Sequence, residues 1–417
     1  MARRILTAFT FVSIAFFAFG QEKTPGRVFV ERIEVRGAQH VSPRVIVAET
    51  ALREGNEYSE DDVRAGVARV NRLTFIVSAD FAMEKGTQDG RSVLVINVRE
   101  MKRLSFLIDG RGLFGDSSHR TLDYDFDRPG ESNDAAAARW FSGDRGMFHF
   151  AMAVRRGRQS FTSRYTAWEI GYTRYNLFGT GAFATVNIRT PVDSVNEGRF
   201  TPQAAIGLPL TPSQTVSVEY HDTSFVRETL HLFGSDLKTQ LAERVITLAW
   251  TYDTTDQPFA PARGTLLRIA PIHQMTDRAD FNAIPRSTNF AAYAEHLNTN
   301  GVDVAALHYW PLSAVNSVSA GVMAGLATVE DRVHPLSIIH IDDRHPTYQI
   351  VQAGYSRSLA TSRLELEARY RIDQLDLQFG PLNRQQAIEA SASWVRRNVW
   401  GTLRLGIGYE RVTSPND

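Results

Sequence analysis

The chain has no cysteine in its 417 residues. That excludes disulfides, thiolate zinc sites, cysteine nucleophiles and a lipidated cysteine anchor. Net charge is missing as well, since 46 Lys and Arg balance 46 Asp and Glu. No electrostatic case for nucleic acid follows from such a balance. Beyond the first twenty residues no apolar run reaches the roughly 18 residues of a transmembrane helix. Gly-x-Ser-x-Gly and Gly-x-x-x-x-Gly-Lys-Ser/Thr are both absent, so hydrolase and nucleotide chemistry lack their usual signals. The only metal-like cluster, residues 340–345 (HIDDRH), lacks the i, i+4 histidine spacing of a helix-borne site. It reads as solvated loop charge. The expectation is a protein that is not an enzyme and needs no cofactor and no metal.

What is present points elsewhere. With 24 Phe, 13 Tyr and 6 Trp the composition favours strands. Residues 1–20 carry Arg3 and Arg4, an apolar stretch over 5–19, and small residues Ala18 and Gly20 before Gln21. This is the pattern of a secretory signal peptide, too short for a ~30 Å span.

Residues 27–101 read as a small α+β module. Residues 28–35 (VFVERIEV) alternate and end at Gly37. Ser42-Pro43 starts a helix that runs to about Arg53, and Ser59 caps a second. Val63, Val67 and Val70 form the buried stripe of that second helix. Two further strands follow, over 77–84 and 91–98. A three-stranded sheet covered by two helices leaves one edge open, and an open edge accepts an extended peptide as an added strand. Val93, Val95 and Asn97 are the candidate client-binding positions at that edge.

From Leu104 onward the sequence alternates with period two. The clearest case is 363–372, where Leu364, Leu366, Ala368, Tyr370 and Ile372 share one face. Arg363, Glu365, Glu367, Arg369 and Arg371 share the other, a run that suits self-neutralising pairing between strands. Either a soluble sandwich or a membrane barrel accommodates such ribbons. Strands of ~9–12 residues, aromatics near strand ends and the signal peptide favour the barrel. The barrel is assigned to 147–412, and 102–146 is a linker or a first barrel hairpin. The strand over 147–154, with Phe148 and Phe150, is expected to close the barrel against Leu405, Gly406, Ile407 and Gly408.

Residues 28–75, followed by VLVINVRE, resemble a POTRA domain. Two barrel segments extend the likeness. Residues 175–181 (YNLFGTG), with Asn176, Gly179 and Gly181, are similar to an early turn in the BamA/TamA-type outer-membrane assembly and translocation family. Residues 251–267 (TYDTTDQPFAPARGTLL) resemble its Y-D-x-x-D-x-P-x-x-P-x-x-G segment, here Tyr252, Asp253, Asp256, Pro258, Pro261 and Gly264. The Arg-Gly-aromatic loop of that family has no counterpart over 330–348. The resemblance implies a transmembrane antiparallel β-barrel of about 14–16 strands preceded by a small α+β POTRA-like domain. It also implies a place in the bacterial outer membrane with the POTRA-like domain in the periplasm. The partners would be outer-membrane lipid, unfolded outer-membrane or exported clients and accessory lipoproteins, with no nucleic acid. The expected task is assembly, insertion or translocation of such clients. A dedicated two-partner-type secretion pore and a passive structural barrel are the alternatives.

Overall fold

In the computed structural model, residues 27–115, 134–142, 145–156, 164–189, 201–232, 235–257, 261–282, 293–329, 347–375 and 383–413 are described. The signal peptide at 1–20, the 340–345 cluster and Pro258 lie outside the described residues.

The first unit is built from β1 (Arg27–Arg36), α1 (Pro43–Thr50), β2 (Asn56–Ser59), α2 (Glu60–Arg72), β3 (Ile76–Lys85) and β4 (Arg91–Glu100). Pro43 opens α1, and left-handed Ala51 ends it three residues earlier than the sequence suggests. The chain then forms β2, a short strand the sequence reading did not contain, because the Gly55 N–H bonds the Val30 carbonyl and leads it alongside β1. Ser59 and Asp62 form a reciprocal capping box on α2. Val63, Val67 and Val70 are buried against the sheet with Leu94, Ile96 and Val98.

The sheet order is β2-β1-β4-β3, so β4 is a central strand. Val93, Val95 and Asn97 therefore do not lie at an edge. Val93 and Val95 are buried on the outer face, whereas Asn97 is exposed there and donates to Asp80 at 2.9 Å. Val95 is fully buried beneath the sheet's outer surface, where Arg36 of β1 reaches across β4 to Glu84 of β3. The edges of this sheet are β2 and β3.

The second unit is a closed barrel. Its strands are β5 (Leu104–Gly115), β6 (Asp134–Ser142), β7 (Gly146–Arg156), β8 (Arg164–Leu177), β9 (Ala182–Arg189), β10 (Thr201–Thr211), β11 (Gln214–Leu232) and β12 (Ser235–Asp253). They continue as β13 (Gly264–Asn282), β14 (Tyr293–Pro311), β15 (Asn316–Val329), β16 (Thr347–Ser358), β17 (Arg363–Leu375), β18 (Asn383–Asn398) and β19 (Gly401–Thr413). The barrel begins at β5, so 102–146 carries the first barrel hairpin, β5 and β6, and is not a linker. The alanine and glycine content of 104–142 leaves both readings open in the sequence, because small residues give little alternation.

Each strand pairs antiparallel with its sequence neighbour. Fifteen strands among the described residues is an odd number, so the first and last run the same way and close the barrel as a parallel pair. Burial is inverted relative to a soluble protein. Leu364, Leu366, Tyr370, Ile170 and Ile407 are exposed on the outside, whereas Arg363, Glu169 and Gln352 are buried inside. Inside, Arg404 pairs with Glu365 at 3.0 Å and Arg369 with Glu367 at 2.6 Å. An apolar outer wall around a polar, ion-paired interior is the architecture of a transmembrane barrel.

Candidate functional site

The α+β unit sits on the barrel mouth where β5 begins, and both family-like turns hold it there. In the β8–β9 turn the backbone is left-handed at Asn176 (φ 51°), Phe178 (φ 53°), Gly179 (φ 76°) and Gly181 (φ 80°). Buried Asn176 accepts from the Gly181 N–H at 3.1 Å and donates to the Arg44 carbonyl at 3.3 Å. A Cβ at 181 would come within 2.7 Å of the Ala48 carbonyl oxygen, so the turn approaches α1 through the missing side chain.

The segment between β12 and β13 supplies the second contact. Arg72, at the end of α2, donates to the carbonyls of Thr255 (2.7 Å) and Asp253 (3.2 Å). Its Nε lies 3.3 Å from the Asp253 carboxylate. Asp253 therefore meets the domain, while Arg268 pairs with Glu219 at 3.4 Å. Asp256 closes its own loop by accepting from the Ala262 N–H at 2.9 Å. Tyr252 and Gly264 flank this segment as the end of β12 and the start of β13, and Pro261 lies within it.

Between these turns the two units share one apolar core. Phe75 packs on Phe141 (ring centroids 4.6 Å) and Tyr175 (5.2 Å), with Met147 buried alongside. Arg69 donates to Glu49 at 3.0 Å and to Thr215 of β11 at 2.7 Å. Burial pushes the Glu49 carboxyl above its ordinary range, against the pull of Arg69 and Arg72. Burial likewise draws the Arg72 guanidinium down, against Asp253. Arg69 and Arg72 escaped the sequence reading because two arginines in the last turn of a helix look like solvated partners of its dipole. Their one signal is that Arg69 lies beside the buried stripe of α2.

A raised carboxyl has a defined pH consequence. The folded chain keeps the Glu49 proton at pH values where the unfolded chain has released it. Stability therefore falls as pH rises from the ordinary carboxylate value through the raised one, by up to about 1.4 kcal/mol per pH unit. Among the described residues helices occur only in the α+β unit, so helical circular dichroism follows its melting. Wild type should lose its stability relative to Glu49→Gln as pH is raised through that window. A difference that stays constant, or grows with pH, refutes the assignment.

The seam is the pairing of β5 with β19. Parallel pairing is slightly weaker per residue than antiparallel. Six of its ten register pairs contain a glycine: Gly401, Gly406 and Gly408 on β19, and Gly110, Gly112 and Gly115 on β5. Such pairs have no cross-strand side-chain contact. Leu405, Gly406, Ile407 and Gly408 thus face β5 and not the strand over 147–154. Phe148 and Phe150 do not lie at the seam. They stand on the outer face of β7, separated from the seam by β6 and β5.

The domain grips the mouth end of this seam. Arg397, at the end of β18, donates to the carbonyls of Asn71 and Leu73, both at 2.9 Å. In the connector to β5, Met101 donates to the Phe75 carbonyl (2.8 Å) and Lys102 to that of Val399 (2.7 Å). The Lys102 ammonium lies 3.7 Å from the Trp400 ring centroid.

The chain is similar in structure to CdiB and BamA. CdiB from Acinetobacter baumannii aligns with 11% identity and a TM-score of 0.48, over 88% of this chain and 60% of that structure. BamA from Haemophilus ducreyi lacking POTRA domains 1–3 aligns with 12% identity and a TM-score of 0.40, over 92% and 84%. CdiB from Escherichia coli aligns with 12% identity and a TM-score of 0.35, over 95% and 87%. The chain thus spans less than two thirds of the first of these. No protein-family model and no curated protein matches it.

Proposed function

We propose that this chain is an outer-membrane barrel, with its α+β domain in the periplasm, that assists assembly, insertion or translocation of other outer-membrane or exported proteins. The observation that carries the reading is the glycine-rich parallel seam whose mouth end is held by the domain. A weak closure beside a soluble module suits transfer of an extended client from water to the barrel wall. Capture belongs to the edge of β3 beyond Ala79, whose own N–H and C=O are held by the Asn71 side chain, with Asp80 and Ala82 exposed there, and this edge replaces the β4 positions proposed from the sequence. There an unfolded client adds as a strand by main-chain hydrogen bonding. No bond is made or broken, so neither catalytic residue nor cofactor is required. The test is depletion in the native cell. Other barrel proteins should then lose their heat-modifiable folded form and accumulate unfolded in the periplasm. Normal assembly overturns the reading. If one exported protein alone stops reaching the surface, the chain is a dedicated secretion pore instead.

A further inference from the structure

Three strands that run toward the domain carry the same outward pair at their mouth ends. Tyr172 is followed two residues on by Arg174 on β8, Tyr355 by Arg357 on β16, and Trp394 by Arg396 on β18. All three arginines are exposed, and among the described residues none of them makes an ion pair. Arg103, exposed at the start of β5, adds a fourth unpaired cation, and Lys102 a fifth above Trp400. These positions fall on one contiguous arc, β16 through β19 and β5 through β8, with the seam inside it. On the opposite arc, the mouth ends of β10 and β14 present Leu210 and Leu312 at the corresponding level, and among the described residues the one exposed cation at these mouth ends is Arg263.

The level of the arc is fixed by what lies above and below it. Above Arg174, toward the barrel's middle, Tyr172 packs on Phe148 at 4.7 Å and Phe148 on Trp140 at 6.3 Å, with exposed Ile170 beyond. Aliphatic wall followed by outward aromatic rings marks the edge of the hydrocarbon. Two residues further along a strand is about 7 Å, which sets the guanidinium groups among headgroups. Below them the β8–β9, β16–β17 and β18–β19 turns present Phe178 (96% exposed), Leu359 and Trp400. The described residues of these turns include no acidic side chain.

We infer that this arc is a binding surface for the phosphate-bearing headgroups of anionic lipids in the leaflet on the domain side. Unpaired guanidinium groups match phosphate geometry and attract anionic lipid over a Debye length. Because the arc spans the seam, anionic lipid gathers at the weakest part of the wall. The inference rests on the barrel's place in a bilayer and not on the assembly role.

The test uses the full chain in vesicles of equimolar phosphatidylcholine and phosphatidylglycerol, with brominated chains on one lipid or the other. Tryptophan quenching should be about twofold stronger when the anionic lipid is brominated. The preference should vanish in Arg174→Gln/Arg357→Gln/Arg396→Gln and at high salt, and survive in the single control Arg263→Gln. A circular dichroism spectrum like wild type confirms that the triple variant is folded. If it is not, the three single variants are each expected to lose part of the preference. Equal quenching by both lipids in wild type overturns the inference. So does a preference untouched by the arginine changes or by salt, or one lost equally in the control.

Discussion

Arg397→Ala will release the α+β domain from the barrel mouth. The guanidinium bonds two carbonyls at the end of α2, and alanine removes this donor from both, leaving Leu73 only its bond from the Ile76 N–H. Charged hydrogen bonds of this kind are each worth ~1.5–3 kcal/mol, so the docked state should weaken by about 3 kcal/mol, roughly a hundredfold in the docking equilibrium. Hydrogen exchange reads this directly. Amides in the last turn of α2 and in the connector at Met101 and Lys102 should exchange about a hundred times faster, while those of β11–β14 keep their protection. Arg397→Lys keeps the charge but loses the planar fork that reaches both carbonyls, and should fall between. Unchanged protection of α2 in the alanine variant would show that the aromatic core and Arg72 suffice to hold the domain.

How far the sequence reveals this depends on the range of the interaction concerned. The ribbon over 363–372 is legible because each residue's environment is set by its own parity. Leu364 and Leu366 are exposed and Arg363 is buried as the alternation requires. The capping box at Ser59 and the stripe of Val63, Val67 and Val70 are local in the same sense. Sheet order is not. Whether β4 is central or at an edge depends on β1 and β3 arriving on either side of it, and nothing within 91–100 encodes that. The seam fails for a related reason. Its partners are almost three hundred residues apart in sequence, and finding β5 and β6 changes which strand meets β19. The two turns were legible as motifs, but their task was not. Asn176 and Asp253 look like turn residues because they are, and only the docked domain shows that Arg44 and Arg72 meet them.

The seam's sensitivity to one methyl group is the stronger expectation. Gly401 opens β19 at φ 133°, a conformation that L side chains rarely adopt. A Cβ there would overlap the carbonyl oxygen of Phe106 and lie 2.7 Å from that residue's carbonyl carbon and nitrogen, all backbone of the seam partner. Side chains can swing away from such a clash, but a strand in register cannot. Phe106 also donates its N–H to the Trp400 carbonyl at 2.8 Å, so any shift breaks the first hydrogen bond of the closure. Backbone strain of ~1–3 kcal/mol and a steric cost of similar size fall on a pairing already weakened by glycine. Gly401→Ala should therefore part β5 from β19 at the mouth. The chain's lack of cysteine makes this measurable without background. Leu107 and Thr402 are buried register partners across the seam, and cysteines at these positions should form a disulfide in the parent and lose most of it in Gly401→Ala. A matching pair at Thr247 and Ile272, register partners on β12 and β13, should cross-link equally in both. Loss at both sites would mean that the barrel has failed as a whole. Retention at the seam would mean that β19 tolerates a side chain at 401, and the closure would then owe nothing to that glycine.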